Sequence, residues 1–63
     1  MIVNGENRSV EVSSLLEFIQ SLGLDPGTVA VERNGEIVRR ESWDSTALSD
    51  EDKLEIIRFV GGG

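Results

Sequence analysis

Lys53-Leu54-Glu55-Ile56-Ile57-Arg58-Phe59-Val60 is the strongest strand signal in the chain, and it runs straight into Gly61-Gly62-Gly63. Leu54 and Ile56 point to one side of such a strand, Ile57 and Phe59 to the other. A strand that is apolar on both faces belongs inside a sheet rather than at its edge. The rest of the chain must therefore supply strands on both sides of it and a layer to cover the sheet. Ile57 is expected to lie in a second core layer beneath the segment Arg39 to Leu48.

Upstream there is enough strand to do this. Asn4-Gly5 and Asn34-Gly35 are both hairpin signals, because Asn and Gly tolerate the positive φ that a two-residue hairpin turn demands. The first predicts a hairpin between Met1–Asn4 and Arg8–Val12, where Val10 and Val12 alternate with Ser9 and Glu11. The second predicts a hairpin between Thr28–Arg33 and Glu36–Val38. Between the hairpins, Ser14-Leu15-Leu16-Glu17 has the form of a capping box. It opens a helix of two to three turns with Leu15, Ile19 and Leu22 on one face and Leu16 and Phe18 beside it. Gly23 is placed for a left-handed C-cap, with Leu24 folding back onto the last turn. Asp25-Pro26-Gly27 then stops the helix. So short a helix is marginal alone and must pack on the sheet. Arg39 to Leu48 has no clean period and reads as a loop with one helical turn, clamped by Trp43. Ser49 to Asp52 reads as a solvated acidic turn.

The order hairpin, helix, hairpin, loop, strand predicts an α+β fold. It is a mixed sheet of four to five strands with one helix on one face. One domain is expected over residues 1–60, with residues 61–63 as a flexible glycine tail.

Composition narrows the chemistry. The 63 residues contain no Cys, His or Tyr, which excludes disulfides, thiolate metal sites, cysteine nucleophiles and imidazole bases. A serine nucleophile would lack an imidazole to activate it. Asp50-Glu51-Asp52 lacks the length, the glycine and the terminal Glu of a dedicated calcium loop. No catalytic residue and no metal site are therefore expected. Twelve acidic against six basic residues leave a net charge of −6, which disfavours nucleic acid and anionic membranes. An acidic protein of this size suits a basic partner surface, or is simply kept soluble by its charge. No basic n-region or long apolar run marks the N-terminus as a signal peptide, so the cytoplasm is the expected compartment.

With these pieces in order, the chain resembles the β-grasp fold of ubiquitin-like proteins. It is more narrowly similar to the ThiS family, the sulfur carriers of thiamin thiazole biosynthesis. The resemblance runs from Met1 to Gly63. It is carried by Val3-Asn4-Gly5-Glu6, by Val31-Glu32-Arg33-Asn34-Gly35-Glu36-Ile37-Val38, by Arg40-Glu41-Ser42-Trp43, and by Ile56 to Gly63. One departure is Arg39, where many members have Pro.

The resemblance implies that the Gly63 carboxylate is the chemically active group. A ThiF-like, ubiquitin-activating-like enzyme would adenylate it with Mg-ATP, the only cofactor use implied. A sulfur donor such as a cysteine desulfurase would then supply sulfur, displacing AMP and leaving a thiocarboxylate. A ThiG-like thiazole synthase would accept that sulfur. Gly61 and Gly62 would thread the partner's active site, where a Cβ would collide with a narrow channel. Three extended residues reach roughly 10 Å, enough to enter while the folded body stays outside. Ending at Gly63, the chain would need no processing to expose this carboxylate.

Phe59, Val60 and Arg58 are candidates for docking the partners. Phe59 could equally be core, and Arg58 could pair with Glu55 instead. Asp44 and Glu41 form no pair with a substrate between them. Competing readings are a carrier for molybdopterin or another metabolite, whose proteins tend to be longer, and a ubiquitin-like protein modifier. As a branch point the chain offers a single lysine, Lys53. An interaction module with an inert tail is the remaining alternative.

Overall fold

The computed structural model describes residues 1–59. Strand β1 (Ile2–Val3) turns through Asn4-Gly5 into β2 (Glu6–Asn7). Helix α1 (Leu15–Ser21) and a short 3-10 turn (Pro26–Thr28) lead to β3 (Val29–Arg33), which turns through Asn34-Gly35 into β4 (Glu36–Ile37). A 3-10 helix (Arg40–Ser45) and a loop deliver the chain to β5 (Lys53–Arg58). The strands form one five-stranded sheet in the order β2-β1-β5-β3-β4. β5 runs parallel to β1 and antiparallel to β3, so the sheet is mixed and β5 is its centre.

Local chemistry explains the elements. In both hairpin turns the Asn and the Gly have positive φ, at 50° and 84° for Asn4 and Gly5 and at 54° and 89° for Asn34 and Gly35. That is the primed turn whose twist matches its strands. Ser14 caps α1 by accepting from the Glu17 N–H at 3.2 Å. The Glu17 carboxylate accepts in return from the Ser13 hydroxyl and lies 3.5 Å from that of Ser14, and these bonds hold its pKa below the usual value. At the other end Gly23 takes a φ of 74°, and the Gly23 and Leu24 N–H groups bond back to Gln20 and Ile19. This is a Schellman closure.

The core lies between the sheet and the α1 layer. Leu15, Phe18 and Ile19 of α1 meet Val3, Val29, Val31 and Leu54 of the sheet, and Met1 and Trp43 complete the cluster. Trp43 is 1% exposed and its indole N–H donates to the Val38 carbonyl at 2.9 Å, so the aromatic body is buried without an orphaned donor. It fastens the Arg39–Leu48 segment as its residue type suggested.

Four expectations are corrected. The return strand of the first hairpin is Glu6–Asn7, not Arg8–Val12, because the two-residue turn makes Val3 face Glu6 directly. Val10 and Val12 still pack on the core from an unpaired segment. Phe18 is buried and Leu22 only half-buried, so the helix face is rotated toward Phe18. Asp52 is not solvated but buried. Ile57 is exposed, since nothing among the described residues covers that face of β5.

Candidate functional site

The register of the sheet sorts its residues into two faces. Val3, Leu54, Ile56 and Val31 share the inner face, and Arg58 joins them opposite Val29. The outer face collects Ile2 opposite Lys53, Glu32 opposite both Glu55 and Ile37, and Ala30 opposite Ile57. Phe59 extends the same alternation one residue past β5, its N–H bonded to the Thr28 carbonyl at 2.9 Å. The large hydrophobic residues exposed among the described residues are Ile2, Ile37, Ile57 and Phe59, and all of them lie on this outer face. Scattered exposed apolar residues are ordinary, but these are segregated onto one face of the sheet.

Of the docking candidates, Phe59 is 59% exposed on this face and has Ile57 beside it. Arg58 points to the other side, toward a groove shared with Asn4, Glu6, Arg8, Leu24 and Ile56. It makes no ion pair with Glu55, from which strand alternation separates it. Val60, Gly61, Gly62 and Gly63 lie outside the described residues. The sequence reading missed Ile2 and Ile37. Parity across the two-residue turns groups Ile2 with Asn7 and Ile37 with Glu32, but only the long-range pairing of β1 and β3 with β5 puts them on the Ile57 side.

The outer face also carries charge. Glu32 and Glu55 stand directly opposite each other across β3 and β5. Like charges in that position destabilise a sheet, so this pair is an electrostatic cost that a cationic neighbour would relieve. Beside Phe59 a shallow groove of about 260 Å³ opens between Ala30, Ile37, Arg39 and Arg40. Arg40 is positioned there by donating to the Pro26 carbonyl at 2.9 Å, with its guanidinium 5.8 Å from the Trp43 ring centre.

Two side-chain clamps hold β5 in place. The Asn4 amide accepts from the Ile56 N–H at 2.7 Å and donates to the Ile56 carbonyl at 3.2 Å. It thereby extends the β1–β5 ladder with a side chain. The Asn34 amide accepts from the Lys53 N–H at 2.9 Å and donates to Asp52 at 3.0 Å. Asp52 also takes the Ser49 N–H at 2.9 Å and the Arg33 guanidinium at 3.1 Å. Burial pushes the Asp52 carboxyl up. The Asn34 amide, the Ser49 N–H and Arg33 together outweigh this and leave its pKa below 3.8. Among the described residues no three Asp or Glu side chains gather into a metal site.

Known proteins share this geometry. The model of the ThiS family matches residues 1–63. The chain belongs to the ThiS family. It is 38% identical over 53 residues to the sulfur carrier protein ThiS of Bacillus subtilis, covering 84% of this chain and 80% of that one. The crystal structure of the thiamine biosynthesis protein ThiS from Geobacter metallireducens superposes with a TM-score of 0.81 at 35% identity. That match covers 98% of this chain and 96% of the other. The chain is also 47% identical over 64 residues to a thiazole synthase of Paramagnetospirillum magneticum, covering all of this chain but only 20% of that protein. This ThiS-family chain thus spans about a fifth of the thiazole synthases it matches. The resemblance read from the turns, the Arg40–Trp43 segment and the final strand is borne out, as is the fold class.

Proposed function

We propose that this ThiS-family chain is the sulfur carrier of thiamine biosynthesis, working through its C-terminal glycine and not through a side chain. The observation that carries the reading is the junction at the end of β5. The central strand of the sheet brings exposed Ile57 and Phe59 onto one face immediately before the Gly61-Gly62-Gly63 end. A partner that grips this face holds the chain at Phe59, four residues before Gly63 in the sequence.

The chemistry follows from the carboxylate. A carboxylate is a poor acyl donor until its oxygen is given a leaving group. In a ThiF-like partner, a carboxylate oxygen of Gly63 attacks the α-phosphate of Mg-ATP and pyrophosphate departs. Hydrosulfide then displaces AMP and leaves a thiocarboxylate directly, whereas a persulfide from a donor such as a cysteine desulfurase first forms an acyl disulfide, from which a thiol releases the thiocarboxylate and leaves as a disulfide. A ThiG-like thiazole synthase takes the sulfur from the thiocarboxylate. The kinship of this chain with part of two proteins named thiazole synthase supports that acceptor. The carrier's own contribution is recognition. Ile2, Ile37, Ile57 and Phe59 offer an apolar anchor. The opposed Glu32 and Glu55 favour a partner that brings an Arg or Lys between them. The expected compartment is the cytoplasm, where these partners would meet.

The test is an intact-mass spectrum after incubation with a ThiF-like enzyme, Mg-ATP and a sulfide source. Exchange of one oxygen for sulfur, mapped to Gly63, is the expected result. An unchanged mass with a demonstrably active enzyme would reject the carrier reading in favour of a protein modifier or an inert tail.

A further inference from the structure

The two Asn-Gly turns carry a reactivity beyond their geometry. In an Asn-Gly pair the glycine nitrogen can attack the Asn side-chain amide carbon, and ammonia leaves as a succinimide ring closes. Water then opens the ring at either carbonyl, giving Asp or isoaspartate. Glycine favours the first step because no Cβ crowds its nitrogen. Both pairs in this chain are exposed to water. Their amides, however, are occupied. Asn34 has its oxygen on the Lys53 N–H at 2.9 Å and its nitrogen on Asp52 at 3.0 Å. Asn4 has both atoms on the backbone of Ile56. Either side chain must release β5 before its amide carbon can swing to the glycine nitrogen.

The products differ in consequence. At Asn4 the new carboxylate still accepts from the Ile56 N–H, but an anionic oxygen now faces the Ile56 carbonyl where the amide donated at 3.2 Å, a repulsion from a neutral dipole and not from a full charge. At Asn34 the new carboxylate still accepts from the Lys53 N–H, but an anionic oxygen replaces the donor that faced Asp52 at 3.0 Å. Two carboxylates then compete for the Arg33 guanidinium, 3.1 Å from Asp52. An isoaspartate would also lengthen the backbone of a two-residue turn that has no slack.

We propose that Asn34 is a deamidation site gated by the fold. It is protected while its amide clamps the start of β5, converted when that end opens, and unable to reclose once converted. Conversion of Asn34 to Asp is thus a one-way latch that, given the carrier role proposed above, retires the protein, whereas conversion of Asn4 to Asp costs less.

The experiment incubates the full chain at mildly alkaline pH, folded and in urea, and follows each Asn by peptide mapping. Asn34 is expected to convert about tenfold or more slowly in the folded protein, as for any reaction that requires local opening. Equal rates in the two conditions would overturn the gate. In parallel, Asn34→Asp is expected to lower Tm more than Asn4→Asp. Combining Asn34→Asp with Asp52→Asn is expected to recover part of that loss, because an amide donor again meets a carboxylate. Equal Tm losses for the two single variants, or no recovery in the double variant, would overturn the latch.

Discussion

The two faces of the central sheet are built from similar residues and put to opposite uses. On the inner face Val3, Val29, Val31 and Leu54 are 6%, 1%, 0% and 0% exposed under the α1 layer. On the outer face Ile2, Ile37, Ile57 and Phe59 are 39%, 62%, 47% and 59% exposed. β5 supplies both faces from alternate residues, so one strand is at once the keel of the core and the spine of the proposed docking surface. An Ile or Phe therefore carries no meaning until its parity is known. Inside, it contributes to folding; outside, its apolar area is available to a partner.

Substitutions on the two faces should break this comparison in unequal ways. Leu54→Ala is the most severe. It deletes a fully buried side chain at the centre of the sheet and should cost about 2–5 kcal/mol, read by urea denaturation. For a domain of this size that approaches the whole stability. Next is the polar end of the same strand. Asp52→Ala leaves the Ser49 N–H and the Asn34 amide without their acceptor and should cost about 1–3 kcal/mol.

The pH dependence of that loss has a definite sign. The folded-state pKa of Asp52 is depressed, so its contribution is present above 3.8 and fades as pH falls through the lower folded value. The Tm gap between the parent and Asp52→Ala should be wide at neutral pH and close on strong acidification. A gap independent of pH would mean that the carboxylate's charge is not what holds the clamp.

Gly23→Ala should cost about 1–2 kcal/mol, because the φ of 74° strains any Cβ although no atom lies within 4 Å of one there. It tests how firmly α1 is held against the inner face. The smallest effect on stability, within about 0.5 kcal/mol, is expected for Ile57→Ser on the outer face. The same variant should weaken binding to the activating enzyme by about tenfold or more, read by calorimetry. If Ile57→Ser instead destabilised the fold as Leu54→Ala does, the distinction between the faces would fall.

Much of this protein was legible from short-range chemistry. The primed turns at Asn4-Gly5 and Asn34-Gly35, the Ser14 cap, the Gly23 closure and the Trp43 anchor each follow from a few neighbouring residues. The order of elements they define, with a β5 apolar on both faces, was enough to indicate the architecture and the central place of that strand. What only the tertiary structure decided depends on partners far apart in the chain. Asn4 meets Ile56 at a separation of 52 residues, and Asp52 meets Arg33 and Asn34 across 19 and 18. No local pattern reports that an amide will finish a ladder, or that one carboxylate of an acidic turn will be buried and the others left in water. The outer face belongs to the same class. Ile57 and Leu54 have similar hydrophobicity, and a strand points its neighbours to opposite sides whatever lies there. Which side receives the helix is settled by the packing of the whole chain.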